Sequence, residues 1–271
     1  MSVEFACSMA HAPGIVAWPD AAPAVQRRRI YDTFDQLRRR LADARLDVLV
    51  LFTAEHWANF FLDHMSAFCI GLAGTFTGPI ESWLKIDKRV IRGDPQLARA
   101  LLEACYANDL EPSSAQELQL DHGTMIPLHF LTPDMQVPVV PILINTLAPP
   151  FPSARRCLAL GRVVGDIARR SGKRVGLVAT GGMSHDPGER NHGVIDSGFD
   201  QRFLEQMTRG DLSELASYSQ DDLLRAGAGA VELLCWIALA GALRDFHGEV
   251  LTYEPVKPWA TGVGAMVFHS T

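Results

Sequence analysis

Four histidines each stand just after an apolar run. "VEFACSMAH" reaches His11, "LDVLVLFTAEH" reaches His56, "QELQLDH" reaches His122, and "RVGLVATGGMSH" reaches His185. A neutral imidazole is a metal ligand, and with an unperturbed pKa of about 6.5 it also carries protons near neutrality. One histidine after a strand is commonly a surface or capping residue, but four in the same placement point to a shared centre. His64, His129, His192, His247 and His269 lack that placement and read as structural or exposed. Glu232 is the carboxylate that matters most, because nearly every neighbour in "GAGAVELLCWIALAGAL" is apolar. Burying a carboxylate alone costs several kcal/mol, or raises its pKa until it is neutral. Unless it lies on a wet helix edge, Glu232 therefore needs a buried cation, either an inward-folded arginine or a metal. Two histidines and one carboxylate with open positions form the facial triad of non-haem Fe(II) oxygenases. Zinc hydrolases use the same ligand types, so ligand identity leaves both open. Histidines beyond the ligand set are free for proton transfer.

Other chemistry is poorly represented. "GLAGTFTG" lacks both the lysine–serine pair of a phosphate loop and the spacing of a dinucleotide fingerprint. Ser184 beside His185 does not make the G-x-S-x-G of a nucleophile elbow. The five cysteines form no C-x-x-C pair and sit mostly in apolar segments. That usage fits small buried side chains in a reducing, cytoplasmic compartment. A formal charge of −6 carries no nucleic-acid footprint. The arginine triplets at 27–29 and 38–40 interleave with Ile30, Phe34, Leu37 and Leu41, the pattern of a solvated helix face. The N-terminus lacks a charged segment followed by a long apolar run, so no signal peptide is expected. The apolar stretch around Glu232 is too short to span a bilayer, so no membrane partner is expected either.

Strand-like runs fall at 3–7, 48–52, 68–72, 139–144, 175–179 and 264–268. Helical patterns fall between them at 22–44, at 95–107 with Asp94 as N-cap, and at 153–170 with Ser153 as cap. Further helices are expected at 199–208, 219–225 and 230–243. The alternation predicts an α/β fold, a central mostly parallel or mixed sheet flanked by helices, in a single domain over 1–271. Stretches 74–92 and 186–198 read as long loops of the kind that carry function. Open α/β sheets bind ligands beyond the carboxyl ends of their strands, which is where the histidines lie.

The segments "SMAHAPG", "LFTAEHWANFFLDHMSAFCIG", "LDHGTMIPLHFL", "VPVVPILIN", "TGGMSHDPG", "FDQRFLEQM" and "GAVELLCW" follow in order over nearly the whole chain. Together they make the sequence resemble the class III (type II) extradiol catechol dioxygenases. The resemblance implies Fe(II) held by His11, His56 and Glu232. It also implies His185 as the base that takes a catechol proton, and His122 as the second acid/base group. The implied reaction inserts both atoms of O2 into a substituted catechol and yields a ring-opened semialdehyde or keto acid, in aromatic-compound catabolism. The implied assembly is a homo-oligomer, and no segment resembles the small helical subunit that covers the site in one branch. Either a separate chain supplies that lid or the substrate does not need it.

"HMSAFCIG" and "NFF" lean toward the dihydroxyphenylpropionate branch, whereas "NHGVIDSGFDQRFLEQM" and "AVELLCW" lean toward the protocatechuate and gallate branch. Trp57, Phe60, Phe61, Phe68 and Phe130 are expected to wall the pocket. No lysine or arginine falls in their two segments, although Arg155 or Arg190 could fold in. Such a wall favours a less polar ring substituent over a bare carboxylate. Two rival readings are a zinc or other divalent-metal hydrolase on the same ligands, and a non-catalytic relative that binds or assembles.

Overall fold

The computed structural model describes residues 3–188 and 191–270. Its strands are β1 (Val3–Met9), β2 (Val48–Ala54), β3 (Phe68–Gly71), β4 (Thr75–Gly78), β5 (Arg89–Arg92), β6 (Ser113–Ala115), β7 (Val139–Ile144), β8 (Val175–Thr180), β9 (Phe246–Val256) and β10 (Thr261–Ser270). Eight of them form one mixed sheet in the order β6-β3-β7-β2-β8-β1-β10-β9. Its centre, β7-β2-β8-β1, is parallel, and β2, β7 and β8 are buried along their whole length. Burial on both faces explains why these strands read as continuous apolar runs rather than alternating ones.

Parallel neighbours require crossovers, and amphipathic helices supply them. α1 (Gly14–Ala17) and α2 (Ala24–Ala44) join β1 to β2. α2 turns Ile30, Phe34, Leu37 and Leu41 inward and leaves its arginines to pair with surface carboxylates such as Asp32 and Asp35. α3 (Pro95–Tyr106) and α4 (His122–Leu131) lie between β3 and β7, and α5 (Ala154–Arg170) joins β7 to β8. The caps expected from sequence are present: Asp94 accepts from Leu97 N at 3.0 Å and Ser153 from Arg156 N at 3.3 Å. After β8 come α6 (Ser197–Arg209), α7 (Leu212–Ser217), α8 (Gln220–Arg225) and α9 (Leu233–Ala242). Two apolar layers result. On one face α2 and α4 cover Leu49 and Leu51 of β2; on the other α3, α5 and α9 cover Val48, Val50 and Phe52.

α9 is buried at every position and packs on α5 backbone to backbone. A Cβ on Gly161 would strike the Ala238 carbonyl, and one on Gly241 would strike that of Leu158. All five cysteines are buried and unpaired. Among the described residues no helix is long and apolar enough to cross a membrane.

Two expectations need correction, and one strand was not expected. "QELQLDH" is not a strand: only Gln119 makes an isolated bridge, to Thr77, and His122 opens α4. Stretch 74–92 is not all loop, because β4 and β5 pair antiparallel within it. The sheet also has a long antiparallel edge strand, β9, which pairs with β10. Its burial alternates irregularly and its apolar content is low, so it gave no strand signal.

Candidate active site

Strands β1, β8 and β2 are adjacent and parallel, so their carboxyl ends share one edge of the sheet. His11 follows β1 by two residues, His56 follows β2 by two, and His185 follows β8 by five. His122 arrives from the side as the first residue of α4. Glu232 arrives from the opposite layer, as the last residue of a 3-10 turn (Ala228–Glu232) that runs into α9. The fold thus brings all five expected residues together. Glu232 Oε2 lies 3.2 Å from His11 Nε2, and its Oε1 lies 3.2 Å from His56 Nε2 and 3.8 Å from His185 Nε2. The His122 ring centroid is 4.0 Å from that of His56 and 5.5 Å from that of His11. His11, His56 and His122 each offer a nitrogen within 4.8 Å of the other two, a group able to hold a metal ion.

Every one of the four imidazoles has its Nδ1 engaged by an acceptor outside the cluster. His11 Nδ1 donates to Thr180 Oγ1 at 3.0 Å, and the Thr180 hydroxyl donates onward to Thr53 at 3.0 Å. His56 Nδ1 donates to Asp121 Oδ2 at 2.9 Å, His122 Nδ1 to Glu81 Oε1 at 2.6 Å, and His185 Nδ1 to the Met183 carbonyl at 2.9 Å. Hydrogen bonds of this kind fix the tautomer and raise ligand basicity; each leaves Nε2 as the available nitrogen. The deciding atom for a metal is His11 Nε2, which is buried and makes no hydrogen bond although a Glu232 oxygen stands 3.2 Å away. In the neutral Nδ1–H form both facing atoms are acceptors, and a shared cation, a proton or a metal ion, is what makes such a pair favourable. The residues present fit a metal.

The electrostatics agree. Glu232 is 6% exposed, and burial opposes its charge. The surrounding imidazoles of His11 and His185 outweigh that cost and hold it well below the usual carboxylate range. Gly182 N donates to its Oε2 at 2.6 Å, and a Cβ on Gly182 would press on the His185 ring. Burial also opposes charge on His56, but Asp121 and then Glu232 overcome it and push this imidazole up to about 10. Asp121 itself resists burial through His56 and is held down at about 2. His122 is shifted the other way, its pKa lowered by burial and by the neighbouring His56 despite the hydrogen bond to Glu81. Of the remaining histidines, four are exposed and His129 is half-buried.

The loop that carries His185 is tied down at each residue. Ser184 donates through N and Oγ to the buried Asp200 of α6, each at 2.8 Å, and Tyr253 OH donates to the same carboxylate at 2.7 Å. Gly229 N donates to the His185 carbonyl at 3.0 Å. Gly229 is required there, because a Cβ would collide with the His185 imidazole itself.

The aromatic wall differs from expectation. Phe68 is fully buried in the sheet core, and Phe130 packs on Tyr31 and Phe34 of α2, so neither of these lines the mouth. The Trp83 ring takes their place 5.9 Å from His122, and it stacks on Trp18 at 5.8 Å. Trp57 is exposed beside His56, in a turn whose backbone N–H groups are gathered by the buried Glu55. Arg155 is exposed on α5, and Arg190 lies outside the described residues. Sequence reading missed the four Nδ1 partners together with Trp18, Trp83 and Asp200. Asp121 alone carried a local signal, as the neighbour of His122 in "LDHG".

Residues 5–264 match the family model described as the catalytic LigB subunit of aromatic ring-opening dioxygenase. The chain belongs to this family. Relatives named 2,3-dihydroxyphenylpropionate/2,3-dihydroxicinnamic acid 1,2-dioxygenase agree over nearly full length. The one from Photorhabdus laumondii is 28% identical, covering 98% of this chain and 97% of its own. The one from Paraburkholderia xenovorans is 29% identical with the same coverage, 98% and 97%. A solved structure of an uncharacterized protein from Escherichia coli K12 superposes with a TM-score of 0.61 at 16% identity, covering 97% of this chain and 98% of that one. Identity that low shows the fold alone. Membership in a family of ring-opening extradiol dioxygenases makes this chain an enzyme and sets aside the hydrolase and the non-catalytic relative.

Proposed function

We propose that residues 1–271 form one catalytic domain that cleaves a substituted catechol beside its diol, with Fe(II) held by His11, His56 and Glu232. The observation that carries this reading is the pairing of Glu232 with two imidazoles whose Nδ1 protons are already committed elsewhere. Bound iron would bring both catechol oxygens and O2 together and lower the hydroxyl pKa, as metals do for bound water. The chain's own residues handle the protons. His185 can use only Nε2, 3.8 Å from Glu232 Oε1, and that nitrogen takes the hydroxyl proton as the substrate docks. The environment that lowers the pKa of His122 makes it a ready donor once protonated, so it returns a proton as the ring opens. Trp83 beside His122, with ion pairs of the cluster formed only among its own histidines and carboxylates among the described residues, supports a catechol with a larger or less polar substituent rather than a carboxylate on the ring. The named substrates of the relatives, dihydroxyphenylpropionate and dihydroxycinnamic acid, carry their carboxylate on a carbon side chain and not on the ring itself.

Protein purified without oxygen should contain iron in preference to zinc. Given O2 and a panel of catechols, it should yield a yellow ring-opened product. Stoichiometric zinc with no ring opening would overturn the iron assignment. A cis,cis-muconate product would show cleavage between the diol carbons and end the extradiol reading. Better turnover of protocatechuate than of alkyl catechols would remove the substrate preference alone.

A further inference from the structure

Glu81 lies between β4 and β5, remote in sequence from Glu232 and the four histidines, and its carboxylate is largely buried against His122. One oxygen, Oε1, accepts both the His122 backbone N–H at 3.0 Å and its Nδ1–H at 2.6 Å. The other, Oε2, is buried and makes no hydrogen bond. A buried carboxylate with an unused oxygen is a poor choice for stability alone, because its desolvation is only partly offset. Asp121 grips His56 in the same manner, with one oxygen accepting the backbone N–H at 3.0 Å and Nδ1–H at 2.9 Å. The site therefore contains the same device twice, once on a residue read above as a metal ligand and once on a residue read as a proton carrier.

We propose that Glu81 is a positioning residue for ring opening, acting through His122 by holding its Nδ1–H and fixing Nε2 as the nitrogen that meets the reacting atoms. The role of His122 in this statement rests on the functional reading above; the tautomer does not. The grip also sets the ring's direction, because an acceptor that holds both the backbone and the ring of one residue leaves χ1 and χ2 little freedom. Trp83, two residues beyond Glu81, has its ring 5.9 Å from the same imidazole at a tilt of 49°, so the 79–86 segment gives the ring both a hydrogen bond and an aromatic neighbour.

Two measurements test the proposal, and the first is independent of activity. In 15N-imidazole NMR of the metal-free protein, His122 should show one tautomer with Nδ1 protonated, and Glu81→Ala should convert it to a mixture. An unchanged tautomer in Glu81→Ala would overturn the proposal even if no catechol were ever cleaved. In the iron-loaded enzyme, Glu81→Ala should lower kcat about 10–100-fold, the range for losing a partner that orients a metal-bound histidine, with KM and iron content little changed. Glu81→Gln, whose carbonyl oxygen can still accept Nδ1–H, should recover most of the loss. In a His122→Ala background Glu81→Ala should cost nothing further. An equal loss in both backgrounds would show that Glu81 only supports the fold. If His122→Ala were itself harmless, the role of His122 would fail, while the tautomer result would still decide the contact.

Discussion

In the proposed ligand set Glu232 and His122 are alternatives for one place, because both lie within reach of the His11–His56 pair. The choice of Glu232 rests on charge: a carboxylate held ionised among imidazoles gives a divalent ion a neutralising ligand, which a third neutral imidazole from His122 would not be. His11→Ala, His56→Ala and Glu232→Ala should therefore each lose iron while circular dichroism stays native. His122→Ala and His185→Ala should keep iron and lose roughly 10²–10⁴ in kcat, the range for a missing acid or base. Iron content by mass spectrometry separates the two groups, and iron loss in His122→Ala would place it among the ligands.

Protons report on the same set. The metal-free His56 imidazole is pushed up from 6.5 to about 10. Its ion pairs therefore stabilise the metal-free fold fully below about pH 6.5, and that contribution is lost as pH rises through about 10. A metal takes the neutral ring, so uptake near pH 8 should release about one proton from His56, and affinity should rise about tenfold per pH unit in that window. Calorimetry in buffers of different ionisation enthalpy measures the proton count; a count of zero would mean that His56 is neutral before metal arrives.

The strands that position the site were legible because burial on both faces writes them as unbroken apolar runs. The cap residues of α3 and α5 were legible because their hydrogen bonds span only three residues. α4 was not. Its sequence, "HGTMIPLHFL", holds Pro127 and is apolar nearly all round, so no helical face stands out. The partners of the histidines were not legible either, since Thr180 meets His11 across 169 positions and Glu81 meets His122 across 41. Such pairings are products of topology and leave no local mark. The glycine beside His185 belongs to the same class. Gly229→Ala, by filling the space of the imidazole, should leave iron bound yet reduce kcat about as much as His185→Ala does, up to roughly 10²–10⁴. Wild-type turnover in Gly229→Ala would show that the ring has room to move without loss.

Considered as a whole, the molecule draws its site from both layers. Glu232 enters from the α5–α9 side and His122 from the α2–α4 side, with His11 and His56 on the strand ends between them. An ion bound there ties the layers to the sheet edge, so binding should be visible in global stability. At a hundredfold excess over Kd it contributes about 2.7 kcal/mol, or roughly 5–10 °C in Tm for a chain of this size. Calorimetric scans before and after chelation test this, and superimposable melts would mean that the site is mechanically separate from the fold.

The α5–α9 seam has an implication for how such an enzyme can diversify. Main chain touches main chain there at Gly161, Gly165 and Gly241, so none of these glycines can be enlarged without displacing α9, and those positions are closed to gradual change. The two indole-bearing loops at the mouth, 57–66 and 79–86, carry no such restriction over most of their length. A descendant that acquires a new ring substrate should therefore differ at the rim and keep its seam intact, and a library randomised at Trp57 and Trp83 should yield altered specificity far more often than one randomised at Gly161 and Gly241.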